Sequence, residues 1–325
     1  MARKYRIAIV SDIHYASAAE QARGDDYEFR DLKNPFVRWF VRFYRYFIWL
    51  RYPLRQNHLL DEFLSGVGSP DYVIANGDFS CNSAFVGVSD DAACQSASEC
   101  LEKLRQKFSP NFQATFGDHE LGKMSFFGMR GGMRLASFNR AQKELGLQPL
   151  WRIELGNYVL LGVVSSLVGL PVFEADTLPA ERPEWHRLRE QHLREITQAF
   201  GSVKPEQKIL FFCHDPTALP FLYRDETVRG KIPQIEHTII GHLHSPLVLW
   251  KSQLLSGMPP IRFLGHTAKR LSTAVSQGRY WKPFKIILCP SLSGIELLKD
   301  GGYYTVDLDS EAREPARFTF HRLPR

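Results

Sequence analysis

Five short polar motifs in this chain carry the residue types of metal chemistry. In order they are D-x-H at Asp12 and His14, G-D at Gly77 and Asp78, G-D-H-E at 117–120, His214, and G-H-x-H at 241–244. Imidazole nitrogen and carboxylate oxygen are the donors that Mn2+, Fe2+ and Zn2+ take. Two such ions about 3.5–4 Å apart clamp a phosphoryl group and activate a bridging hydroxide, with one carboxylate shared between them. Taken singly, each motif is weak. A histidine after a strand is usually structural, and an Asp there is usually a turn former or a helix cap. The order and placement of the set give it weight.

Each motif follows an apolar run that reads as a buried strand. The runs are "YRIAIVSD", "DYVIANGD", "FQATFGDHE", "KILFFCHDP" and "IEHTIIGHLHSP", with a further strand in "YVLLGVVSS" at 158–166. Helical spacing appears at 57–67, at 96–108, and at 181–200, where Pro183 suits a first turn. After about residue 245 the pattern predicts strands in "LVLWKS", "IRFLGH", "FKIILCPSLSG", "GGYYTVDLDS" and "RFTFHRL". Alternating strands and helices predict an α/β fold with stacked sheets flanked by helices. No linker or repeat interrupts residues 1–325, which therefore read as a single domain. His58, His186, His192 and His237 sit on helical or turn segments and read as structural, and His266 and His321 lie outside the motif set.

The motif set resembles the calcineurin-like metallophosphoesterase family, whose pattern is D-x-H, G-D, G-N-H-D/E, H and G-H-x-H. The resemblance implies a four-layer α/β/β/α sandwich and a metal-dependent phosphoester or pyrophosphate hydrolase. It implies two divalent metal ions, Mn2+ first, with Fe or Zn as alternatives. Asp12, His14 and His244 are then expected on one metal, Asp118, His214 and His242 on the other, and Asp78 between them. His119 is expected to face the phosphate as general acid or as a stabiliser of transition-state charge. One position departs from the pattern: Asp118 stands where the family has Asn, bringing a full negative charge. The acidic residue that some branches place three after the bridging Asp is Cys81 here, and Asn82 beside it is a candidate phosphate contact.

The chain has 325 residues, 44% hydrophobic and 23% charged, with a formal net charge of +6. That charge favours anionic partners. Five cysteines without CxxC spacing read as reduced thiols. The apolar part of the N-terminus stops at Asp12, too soon for a signal peptide. Against this ordinary background, residues 34–53, "NPFVRWFVRFYRYFIWLRYP", hold nine aromatics and four arginines. As a regular helix over 36–50, Arg38, Arg42 and Arg45 fall within about 60° of one another and aromatics fill the broad remaining face. Each central Arg costs about 2.5–3.5 kcal/mol in a bilayer core, which excludes a spanning role. Two readings stay open: a buried core helix, or an interfacial helix with arginines toward anionic headgroups.

The segment lies in an insertion at about 34–56, close after the first motif. A second greasy and basic segment, "GKMSFFGMRGGMRLASFNR", directly follows the G-D-H-E motif. Its Phe126, Phe127, Arg130 and Arg134 are candidates for apolar and phosphate contacts. Together these features predict a phosphorylated lipid or nucleotide-lipid substrate handled at an anionic membrane surface, by a cytoplasmic protein peripheral to that membrane. The pattern is similar to that of the UDP-2,3-diacylglucosamine hydrolases of lipid A biosynthesis, which release UMP and lipid X. No nucleic acid is expected, and no protein partner is inferred. Two competitors stand beside this reading. One is a soluble metallophosphodiesterase or phosphatase acting on nucleotides or phosphoproteins. The other is a catalytically idle membrane- or partner-binding module.

Overall fold

A computed structural model describes residues 3–29, 32–81, 85–124, 130–254 and 278–324. The apolar runs become two five-stranded sheets. In the first, β1 (Lys4–Val10), β2 (Tyr72–Asn76) and β3 (Phe112–Thr115) are parallel. The second contains β4 (Leu150–Leu155), β5 (Tyr158–Val163), β6 (Lys208–Cys213), β7 (Ile235–Ile240) and β8 (Ile286–Leu288) in that order. There β4 is antiparallel to β5 and the others run parallel. The first sheet is completed by β9 (Gly302–Asp309) and β10 (Arg317–Arg322), which add antiparallel strands on the outer side of β1.

The period-two geometry of a strand explains the layering. Ile7, Ile9 and Ile74 of the first sheet meet Tyr158, Leu160, Leu210, Phe212 and Ile239 of the second in one buried core. The alternate residues Ala8, Val10, Val73 and Ala75 turn outward. They are covered by Leu59, Leu60 and Phe63 of helix Asn57–Gly66 and by Leu101 and Leu104 of helix Asp91–Phe108. Leu161, Val163, Ile209 and Phe211 are covered in the same way by Ile196 and Phe200 of helix Arg182–Gly201. Strands buried on both faces need apolar residues at every position, hence the continuous runs. The result is the expected sandwich of two sheets flanked by helices.

Several local expectations change. The run "LVLWKS" forms part of helix Pro246–Leu254 and not a strand. The strand expected at 261–266 lies outside the described residues. Helix Asp91–Phe108 starts five residues before the predicted 96, because Asp90 caps it by accepting from the Ala93 amide. The aromatic helix is α-helical only over Pro35–Tyr44, capped by Asn34. It continues as a π-helical turn over Arg45–Trp49, closed by a 3.0 Å bond from the Leu50 amide to the Arg45 carbonyl.

That helix is not core. Phe36 is 82% exposed, Trp39 66% and Phe40 61%. Two of its arginines pair with acidic residues of the preceding segment. Arg42 pairs with Asp26, Arg45 pairs with Glu28 and lies over the Phe29 ring, and Arg38 is half-buried. The stripe is thus divided: Arg45 is covered against Glu28, while Arg42 and Asp26 form a solvent-exposed pair. Among the described residues no helix is long and apolar enough to cross a membrane. All five cysteines are buried and unpaired with one another.

Candidate metal centre

The motif residues gather where the C-terminal ends of strands from both sheets approach one another. Asp12 and His14 follow β1, Asp78 follows β2, and Asp118 opens the short helix after β3. His214 follows β6, and His242 and His244 follow β7. Two groups of ligand atoms result, each with all its atoms within 4.8 Å of one another. One is Asp12, His14, Asp78 and His244; the other is Asp78, Asp118, His214 and His242, so Asp78 belongs to both.

The backbone is bent to do this. Asp12, His14, Asp78, His242 and His244 all have positive φ, between 49° and 60°. That region costs an L-residue about 1–2 kcal/mol, and residues persist there only when their surroundings over-determine them. Here the amides of Asp12 and His14 donate to the carbonyls of Gly77 and Asp78 at 3.0 and 3.1 Å, locking the first turn onto the second. Gly77, at φ +88°, permits close approach. A Cβ there would lie 2.7 Å from the Gly117 backbone and from His214 Nδ1. Glu120 is wholly buried, and its carboxylate accepts from the amides of Asp78, Phe79 and Gly117 at 3.1, 2.9 and 2.8 Å.

The histidines are oriented by backbone carbonyls. Nδ1 of His14 meets the Ser80 carbonyl at 3.2 Å, Nδ1 of His119 meets Cys81 at 3.0 Å, and Nδ1 of His214 meets Asn76 at 2.5 Å. A carbonyl only accepts, so each Nδ1 carries a proton and each Nε2 is presented to the cluster, as metal-ligating imidazoles are. His214 Nε2 lies 3.3 Å from Asp78 Oδ2 and 3.4 Å from Asp118 Oδ1. Asp78 Oδ2 and His214 Nε2 are both fully buried, yet neither makes a hydrogen bond. Orphaned ligand atoms in a converging N/O donor set fit a dication, which would satisfy both.

The electrostatics agree. Burial, with help from His119, pulls His14 down to about 3. Burial and His14 hold His244 well below the usual range. For His214 burial works the same way, but Asp78 and Asp12 overcome it and hold the ring well above its usual value. Burial lifts Asp12 to about 6 against the pull of His214. Against its burial, His242 is raised too, by Asp118 and Asp215, so the carboxylates of the cluster favour positive charge at both histidines.

The other predicted contacts are placed differently. His119 points Nε2 at Asp78 Oδ2, 3.8 Å away, and its ring packs edge-on to His14. Arg134 donates to the carbonyls of Met133, Gly131 and Asp176, so it ties its own loop to the turn at Glu174–Asp176. Arg130 stacks over Phe85 at 4.4 Å and over Tyr27 at 5.3 Å. Asn82, Phe126 and Phe127 lie outside the described residues. Two neighbours of the cluster carried no sequence signal of their own. Lys123 Nζ is 3.2 Å from Asp118 Oδ2, brought there by the turn at Gly122. The Trp49 ring lies 5.1 Å from that of His244, delivered by the π-helical turn.

The family model for calcineurin-like phosphoesterases matches residues 5–246, a span that includes every ligand position above. The chain belongs to that family. This phosphoesterase is therefore a metal-dependent phosphoester hydrolase, with two candidate metal clusters that share Asp78. Among solved structures, it is similar to a dimetal phosphatase from Danio rerio, with 12% identity, a TM-score of 0.48, and coverage of 97% of this chain and 95% of that one. A metallophosphoesterase from Sphaerobacter thermophilus has 16% identity and a TM-score of 0.33 over 98% of this chain and 88% of that one. A purple acid phosphatase from yellow lupin has 11% identity and a TM-score of 0.40 over 95% and 50%. None of the three bears on the substrate. No curated protein matches the phosphoesterase in sequence.

Proposed function

We propose that this phosphoesterase hydrolyses a phosphoester or pyrophosphate bond in a lipid-linked substrate at a membrane face. UDP-2,3-diacylglucosamine, cleaved to UMP and lipid X, is the substrate to try first. The observation that supports this is the exposed aromatic face of helix Pro35–Tyr44, whose π-helical continuation sets Trp49 against His244. Exposed apolar patches of this kind mark interaction sites. This one is bordered by Arg51, over the Tyr46 ring at 4.0 Å, and Arg55, over Tyr52 at 5.3 Å. Aromatics with cations at their edge suit the headgroup boundary of an anionic leaflet.

In this reading Asp12, His14 and His244 would hold one metal, Asp118, His214 and His242 the other, and Asp78 would serve both. The ions, Mn2+ with Fe or Zn as alternatives, would supply Lewis acidity and activate water. His119, fixed by its Nδ1–H to the Cys81 carbonyl, presents Nε2 to the leaving-group oxygen; in its doubly protonated form it gives the Nε2 proton to that oxygen and is left as the neutral Nδ1–H imidazole. Trp49 forms a wall of the mouth on the side of the aromatic helix. The enzyme works as a peripheral protein on the cytoplasmic face.

The test is hydrolysis of UDP-2,3-diacylglucosamine in mixed micelles with Mn2+, with a chelated control and Asp78→Ala. UMP release that needs both metal and Asp78 supports the reading. Trp39→Ser with Phe40→Ser then tests the membrane part: binding to anionic vesicles should fall while turnover of a small soluble phosphodiester persists. These aromatics are preferable to the arginines, whose loss would break the pairs with Asp26 and Glu28. Turnover of soluble diesters with no UMP release and no vesicle binding would leave a soluble phosphodiesterase.

A further inference from the structure

Asp118 is a puzzle of charge. In the place of a neutral Asn it gives the cluster three carboxylates, with Asp12 and Asp78, in a buried space. Its two oxygens do different things. Oδ1 lies 2.8 Å from His242 Nδ1 and 3.4 Å from His214 Nε2, on the cluster side. Oδ2 turns away and meets Lys123 Nζ at 3.2 Å. The Asp118 side chain is only 10% exposed and that of Lys123 29%, so the ammonium sits at the rim between cluster and solvent. The backbone places Lys123 there. Gly122, at φ +110°, reverses the chain after the helix Asp118–Leu121, and the Lys123 amide is tied to the Phe85 carbonyl at 3.1 Å.

We infer that Asp118 and Lys123 act as one unit that reproduces a neutral asparagine ligand. Lys123 occupies one carboxylate oxygen, leaving the other as a single donor, as an amide carbonyl would be. It also returns the lost charge. Three carboxylates with one lysine carry the same net charge as two carboxylates with Asn, so the two dications face the same field. Lys123 is thus a positioning residue for Asp118 and sets metal affinity. The inference rests on the proposed ligand role of Asp118.

The test is calorimetric titration of Mn2+ into chelator-stripped protein: wild type, Lys123→Met, Asp118→Asn and the double variant. Each single variant leaves one charge uncompensated beside a dication, worth at least about tenfold in affinity at partly buried distances. Asp118→Asn should weaken the more sensitive of the two Mn2+ sites by that factor, and Lys123→Met should tighten it. The double variant should return to within about threefold of wild type, the non-additivity expected of a coupled pair. The inference is overturned if Lys123→Met leaves both affinities unchanged, or if the double variant behaves as Asp118→Asn. If Lys123→Met does not fold, comparing the double variant with Asp118→Asn decides the matter, since the double variant carries neither charge. Wild-type protein that binds no Mn2+ would overturn the ligand reading itself, a result distinct from intact binding that ignores Lys123.

Discussion

Glu120 offers a sharp test of how the centre is held together. It is not among the grouped metal-ligand side chains, yet its carboxylate takes the amides of Asp78, Phe79 and Gly117. Glu120→Ala leaves three buried N–H groups without partners, at about 1–3 kcal/mol each. Because water can enter the space vacated, we take about 3–6 kcal/mol for the set. For a chain of this size 1 kcal/mol moves the melting temperature by about 2 °C, so the shift is about 6–12 °C. Glu120→Gln keeps the volume and one acceptor oxygen and should fall between. The melt is run in chelator so that metal binding does not mask the loss. Mn2+ affinity, measured separately, should drop about 10–100-fold, because Asp78 loses the contacts that keep it at φ +57°. A Glu120→Ala protein that melts within about 2 °C of wild type would refute the idea that this carboxylate pins both turns.

A Cβ at Gly241 would lie 2.2 Å from Ser11 Oγ and 2.5 Å from Asp12 Oδ2, so Gly241→Ala should displace Asp12. We expect hydrolysis to fall at least about 100-fold while stability falls by only about 1–3 kcal/mol, read from kcat/KM beside a melt. His192 is buried with its Nε2 accepting from the Val164 amide at 3.1 Å, and burial holds it below 6.5. Its neutral form is therefore favoured by folding. The stability advantage of wild type over His192→Gln should be present above pH 6.5 and shrink below it, by up to about 1.4 kcal/mol per pH unit. Equal melting differences at pH 7.5 and pH 5 would contradict that. Arg45→Met removes the partner of Glu28 under the aromatic helix. Limited proteolysis should then cut within residues 35–55 several-fold faster than in wild type, with the rest of the digest unchanged. Finally, the metal-free cluster holds buried like charges, so Mn2+ at 100 times its Kd should stabilise the protein by about 2.7 kcal/mol. A melt unmoved by Mn2+ and by chelator would refute metal binding.

The layers and the ligand positions could be read from sequence for one reason. Strands buried on both faces are unbroken apolar runs, so Asp12, Asp78, His214 and His242 stand out as the polar residues that end them. Where that contrast fades, reading fails. "LWRIEL" alternates polar and apolar residues because β4 is an edge strand, and it gave no strand expectation. "LVLWKS" has the composition of a short buried strand but forms a helix after Pro246, the ambiguity inherent in brief apolar runs. The π-helical turn had no signal in "RYFIW". A π turn holds more residues than an α turn, so the angular positions drawn for a regular helix through 36–50 do not hold at Trp49. Lys123 was legible only as one basic residue in a greasy loop. Its meeting with Asp118 depends on the positive φ of Gly122, which spacing does not reveal.

The local rules of structure are broken where the chemistry sits. Eight described non-glycine residues have positive φ, and five of them are in the two ligand clusters. A left-handed residue just beyond a strand turns the chain sharply and breaks the alternation of side chains between the two sheet faces. Five such residues, in three loops after strands of both sheets, contribute their side chains to the two ligand groups. The strain is borne by strands that are themselves fixed on both faces. Further elements are added around the ligand groups. Lys123 meets Asp118 from one side. On the other, the aromatic helix is anchored through Arg42 and Arg45 to Asp26 and Glu28 while Trp49 closes on His244. Specificity can then change through these additions while the strand ends that hold the ligands stay fixed.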